Sequence, residues 1–158
     1  MKLSKALKEK KRLTGEIERL KRLIQSKNSY VEGSNVPEKF DVNELYAQLQ
    51  SKIQELVNLK IVINEANKEI QSSIYLLGEY KALINFFSSL NTTEGPQESF
   101  RSENIVNYHA QIDELEKENI IKKYQDKADT LQDQIDTYNY TTEVAWGEDY
   151  HRNTEENK

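Results

Sequence analysis

Leu3, Ala6, Lys10, Leu13, Ile17, Leu20 and Ile24 recur at alternating intervals of three and four. That is the a/d repeat of a helix hiding a narrow apolar seam, with Lys10 as one basic intruder. It predicts a helix over about residues 2–28. A second run, Val42, Leu45, Leu49, Lys52, Leu56, Leu59, Ile63, Ala66 and Ile70, keeps the same rhythm. Here Ile53, Val57, Ile61 and Val62 lie off the seam, so this helix is expected to meet more than one neighbour. Its start is marked by Asp41 as a cap, Glu44 three residues on, and Phe40 placed to staple to Leu45. The stretch between the two helices holds Gly33 and Pro37 among Asn and Ser, and reads as a loop.

Gln71, Ser72 and Ser73 weaken helical propensity and predict a break or kink. The segment from Ile74 to Leu90 then reads as a third helix, whose polar side is only Gly78, Lys81, Asn85, Ser88 and Ser89. A helix this apolar is expected to be deeply buried, in a bundle or at a subunit contact. Residues 91–104 read as a loop around Gly95-Pro96, and Ile105 to Tyr108 as a short strand. A fourth helix is predicted from about Ala110 to about Tyr138. Ile121, Tyr124, Ala128, Leu131, Ile135 and Tyr138 are in phase along it. Ile112 and Leu115 are not, which predicts a local irregularity. The pattern therefore implies an all-α fold: an antiparallel bundle of three to four long helices with coiled-coil character, over residues 1–144. Residues 145–158 read as an acidic polar tail that frays.

Composition agrees with narrow seams on solvated helices: of 158 residues, 36% are hydrophobic and 31% charged. The absence of cysteine removes disulfides, thiolate metal sites and a Cys nucleophile. No signal peptide is expected, and no stretch is apolar enough for a spanning helix, which points to a cytoplasmic protein. Charge changes the picture more. Residues 1–27 carry ten Lys or Arg against three Glu, while the whole chain sums to −5. With Leu3 as position a, Lys5, Arg12 and Arg19 are c positions, Lys11 is b, and Lys8 and Arg22 are f. Lys5, Lys8, Arg12, Arg19 and Arg22 thus form one outward basic face. It is either a solvated face pairing with acidic residues of helices 2 and 4 or of another subunit, or a surface for nucleic acid or anionic membrane. No aromatic residue precedes Tyr30, so base stacking has no platform there.

Reactive constellations are missing. His109 sits near a helix start and His151 in the tail, with no His-x3-His pair or Glu-x-x-His motif, and no metal or cofactor is expected. No Gly-x-Ser-x-Gly elbow or phosphate-cradling loop occurs. Glu114/Glu118 and Asp129/Asp133 lie one turn apart but flank the apolar stripe, as solvated faces do. Trp146 and Tyr150 are expected to pack back on a bundle end rather than to serve as a docking motif. A hydrolase would need His109 in a deep polar pocket with aligned carboxylates.

The opening "MKLSKAL", with "VEG" about 25 residues later, resembles the septicolysin-like family of uncharacterised bacterial proteins. Ile63 to Asn67 ("INEAN") is similar to that family's Ile-Asn-x-x-Asn segment. Arg101-Ser102-Glu103 is similar to its Arg-Ser-Glu loop, and Leu131 to Val144 to its closing pattern, with Tyr140 at a usual aromatic. The family's Asp-Gly turn followed by Thr-Leu-Thr is replaced here by "KEIQSSIYLL". The resemblance implies a helical, self-associating protein with no catalytic residue to carry over. Arg101, Ser102 and Glu103 are its candidate loop residues, for which a capped turn is the competing role. The family's name points to a cytolysin, but this chain shows neither the leader nor the inserting segment such an activity needs. The expected function is a non-enzymatic scaffold that associates with itself or with another helical protein.

Overall fold

The computed structural model describes residues 1–33, 41–98 and 105–146. The chain is mostly helical: α1 (Leu3–Lys27), α2 (Val42–Asn67), a 3-10 turn (Lys68–Ile70), α3 (Gln71–Ser88), β1 (Gly95–Glu98), β2 (Ile105–Tyr108) and α4 (Glu114–Thr141). It divides into two compact units, Met1–Glu69 with Tyr138–Lys158, and Ile70–Thr137.

In the first unit the a/d seam of α1 is the buried one: Leu3, Ala6, Leu13, Ile17 and Leu20 are at most 5% exposed. Lys10, in the same register, is half-buried. Leu59 and Ile63 of α2 close on this seam, with Leu56, Val62 and Ala66 packed around them. Asp41 caps α2, accepting hydrogen bonds from the backbone N–H groups of Asn43 (2.9 Å) and Glu44 (3.2 Å). Phe40 lies outside the described residues.

The chain after α4 completes this unit. Leu3 N–H donates to the Thr142 carbonyl at 2.9 Å, and Val144 N–H donates to the Met1 carbonyl at 2.8 Å. The Met1 amino group returns a bond to the Val144 carbonyl at 2.8 Å. Lys2 and Glu143 pair as a single antiparallel bridge, their side chains 3.0 Å apart. Lys2 holds Glu143 below the usual carboxylate range. This strap carries Val144 (7% exposed) and Trp146 (8% exposed) into the core beside Leu3 and Leu59. Trp146 therefore packs back, as the sequence suggests, and residues 145–146 are not a loose tail. Tyr150 and His151 lie outside the described residues.

The second unit has a thinner core. Leu77 of α3 meets Ala128 and Ile135 of α4, with Ile70, Ile74, Tyr80, Ile84 and Leu131 packed against them. Tyr80 and Tyr124 stack at a tilt with ring centroids 5.4 Å apart, and Lys127 lies 5.6 Å from each ring centre. Lys81 reaches across to Gln132 at 3.3 Å. The expectation of a deeply buried α3 is not met within the chain: Leu77 is its one buried residue.

Three boundaries differ from the sequence reading. The break between the second and third helices falls at Lys68–Ile70, just before the serines, as a tight 3-10 turn. Residues 95–98, expected as loop, form a strand that pairs antiparallel with Ile105–Tyr108, Gly95 opposite Tyr108 and Glu98 opposite Ile105. This strand pair is a small addition to a mostly helical chain. Gly95 has φ +83°, a conformation glycine tolerates and β-branched residues do not, which turns the chain into β1. The fourth helix starts at Glu114, so Ile112 precedes it. Asp113 sets that start by a reciprocal capping box: Glu116 N–H donates to Asp113 Oδ1 at 2.7 Å, and Asp113 N–H to Glu116 Oε2 at 3.4 Å.

Candidate interaction surfaces

Lys5, Lys8, Arg12, Arg19 and Arg22 are all exposed on α1, as the heptad assignment requires. Among the described residues none of the five makes an ion pair within 4.0 Å with an acid of α2 or α4, although Glu55 of α2 adds to the negative field on Arg12. Arg12 pairs within its own helix, with Glu9 (2.7 Å) and Glu16 (3.0 Å). Its hydrogen bond with Glu9 lowers the Glu9 carboxyl below its usual range and raises the guanidinium above its own. Glu18 pairs with Lys21 at 2.9 Å. Lys52 of α2 is held charged by its own neighbour Glu55, 2.8 Å away. Among the described residues, Lys5, Lys8, Arg19 and Arg22 make no ion pair within 4.0 Å. Arg101, Ser102 and Glu103 lie outside the described residues.

The carboxylate pairs do not converge. Glu118, Asp129 and Asp133 are exposed, and Glu114 accepts from Thr92 and pairs with Lys117 at 3.1 Å. Those two partners hold Glu114 below the usual carboxylate range. No group of three metal-ligating side chains occurs among the described residues. His109 does not line a deep pocket: its side chain is 78% exposed and sits at the root of the strand pair. Its Nδ1 lies 3.1 Å from Glu94, and its Nε2 lies 3.4 Å from the Asn107 amide. Glu94 also accepts from Ala110 N–H at 2.6 Å, and this bond, with that of His109, keeps its carboxyl low. This is a polar clasp that ties the two ends of the strand pair together.

Sequence reasoning undervalued two outer faces. On α2, Tyr46, Ile53, Val57 and Ile61 are 42–62% exposed. They form a stripe turned roughly a third of a revolution from the buried seam. The off-seam positions Ile53, Val57 and Ile61 announce it, and Tyr46 extends it by a heptad. On α3, Tyr75 (66% exposed), Gly78, Ala82 and Phe86 (58% exposed) fall at 3-4-4 spacing on the solvent side. A Cβ added to Gly78 would meet nothing within 4 Å. A glycine inside a helix costs about 1 kcal/mol relative to alanine, and no close packing among the described residues requires it here. With Ala82 one turn on, it makes a notch between two aromatic knobs. The sequence pattern alone places Gly78 on the polar side of this helix, where its role as a notch is not apparent.

No family model, no curated protein and no solved structure matches the chain. Its surfaces carry the functional argument. No helix of the described residues is long and apolar enough to cross a membrane.

Proposed function

We propose that the chain is a non-enzymatic scaffold of the cytoplasm that acts by associating with itself through helix–helix contacts. In this reading the helices form an antiparallel bundle with coiled-coil character, completed between copies. The outer face of α3 carries the argument: an aromatic at each end, a small-residue notch between them, and Tyr75 and Phe86 more than half exposed. Small residues four apart let two helix backbones approach closely, and flanking aromatics then bury large areas. The second stripe of α2, uncharged from Tyr46 through Gln50 to Val57, has the same character. Closed symmetric pairing is the usual outcome for such self-complementary faces. The septicolysin-like resemblance implies a self-associating helical protein as well.

Light scattering on the full chain tests this. The wild type is expected to run as a stable homo-oligomer at micromolar concentration. Ala82→Glu, which places a charge in the exposed notch, is expected to give a monomer with unchanged helical content. A monomeric wild type at those concentrations would refute the reading.

A further inference from the structure

We infer that the basic face of α1 is a docking surface for the phosphate backbone of double-stranded nucleic acid, read without regard to sequence. Lys5, Lys8, Arg12, Arg19 and Arg22 lie within an arc of about 100° and span about 26 Å of helix. All five are exposed. The three acids of α1 offset this face only in part: Glu9 and Glu16 pair with Arg12, and Glu18 pairs with Lys21 while also acting on Arg22 from a longer distance. Among the described residues, Lys5, Lys8, Arg19 and Arg22 make no ion pair within 4.0 Å. The acidic excess of the chain is concentrated elsewhere in the sequence, with residues 70–137 summing to −6.

A second, independent observation lies in the middle of the same face. Gly15 falls on this arc between Arg12 and Arg19, and a Cβ placed on it would meet nothing within 4 Å. Mid-helix glycine costs about 1 kcal/mol against alanine, and no packing among the described residues requires it. Its effect is to bare the helix backbone between flanking cations, which lets a rounded, uniformly charged rod approach closely.

The surroundings of the face select the polyanion. The apolar seam of α1 is buried in the core, and none of the large hydrophobic side chains exposed on the molecule belongs to Leu3–Lys27. The helix therefore has no apolar side to sink into a bilayer, which an interfacial membrane helix needs. It also carries no aromatic ring on which to stack unpaired bases. What remains is an elongated patch of cations, suited to the phosphates of a duplex, which presents one charge per about 1.7 Å of axis.

The experiment is fluorescence anisotropy of a labelled random-sequence DNA duplex titrated with the full chain. Binding is expected at low salt, weakening roughly 100-fold between about 50 and 200 mM, the slope for about four phosphate contacts. Lys8→Glu with Arg19→Glu is expected to abolish it. Gly15→Leu is expected to raise thermal stability while weakening duplex binding roughly tenfold, the loss of about one phosphate contact. Absence of duplex binding at low salt overturns the inference, as does binding that survives the double charge reversal. Binding of phosphatidylserine vesicles but not duplex would give the face to a membrane. Dissociation of the oligomer on charge reversal, without duplex binding, would give it to a second copy of the chain. Either result overturns the inference while leaving the α3 contact to its own test.

Discussion

The first helix and the third make opposite use of their side chains. Nearly half of α1 is charged, yet it buries five residues: Leu3, Ala6, Leu13, Ile17 and Leu20. α3 is apolar over most of its circumference, yet buries one, Leu77. A seam one residue wide is enough when the partner helix and the returning strap fit it, because each buried leucine contributes about 1.5–3 kcal/mol. A broad apolar surface contributes only where something covers it. In the unit of residues 70–137 the cover is partial, and Tyr75, Leu76 and Phe86 remain 43–66% exposed. The two helices thus teach that apolar content and burial are separate quantities, and their mismatch in α3 is the observation on which the proposed self-association rests.

Substitutions sharpen the contrast. Leu59→Ala should have the largest effect, since Leu59 is fully buried between the α1 seam and Trp146. A loss of about 2–5 kcal/mol by denaturant unfolding is expected. A loss below about 1 kcal/mol would mean that the first core is not packed as described. Phe86→Ala comes next. An aromatic 58% exposed in a single chain should cost within about 0.5 kcal/mol if it faces only water. The account expects more than about 1 kcal/mol, with a melting temperature that rises with protein concentration. A concentration-independent change near zero would make the two helices alike in having no outside partner.

The smallest expected effect is on acidification. Glu143 and Glu94 have carboxyls lowered from the usual value of 4.5, by Lys2 in one case and mainly by the Ala110 N–H in the other. A lowered carboxyl contributes stability that is present above its unfolded value and lost as pH falls through the folded one. Both groups are exposed, so the effect is modest. Lowering the pH below the usual carboxylate range should loosen the strap at Lys2 and the clasp at His109. Amide exchange of Leu3 and Val144 reports the first, and Glu143→Gln should remove that pH dependence. An unchanged dependence in Glu143→Gln would show that the strap is held by its backbone bonds alone.

Legibility followed the same division. The α1 register, its boundaries, its outward cations and the Asp41 cap were all readable, because each rests on contacts within a few residues. The in-phase run from Ile121 to Tyr138 was readable for the same reason: its residues are buried or half-buried. The strand pair was read only on its second half. Gly95-Pro96 signals a turn locally, and its pairing with residues ten or more positions away leaves no local trace. The Asp113–Glu116 box was missed because Ile112 invited an earlier helix start. Leu13 and Leu56 belong to the first core and Leu131 to the second. Periodicity tells which side of a helix is hidden and is silent on which partner hides it.

Hydroxyl-radical footprinting of the tyrosines tests the central claim most directly. Tyr75, Tyr30 and Tyr140 are 66%, 70% and 74% exposed in the single chain, so each serves as a reference for the others. The account predicts that in solution Tyr75 is modified several times more slowly than Tyr30 and Tyr140, because a second copy covers the α3 face. Equal rates at all three would leave that face bare and contradict the account.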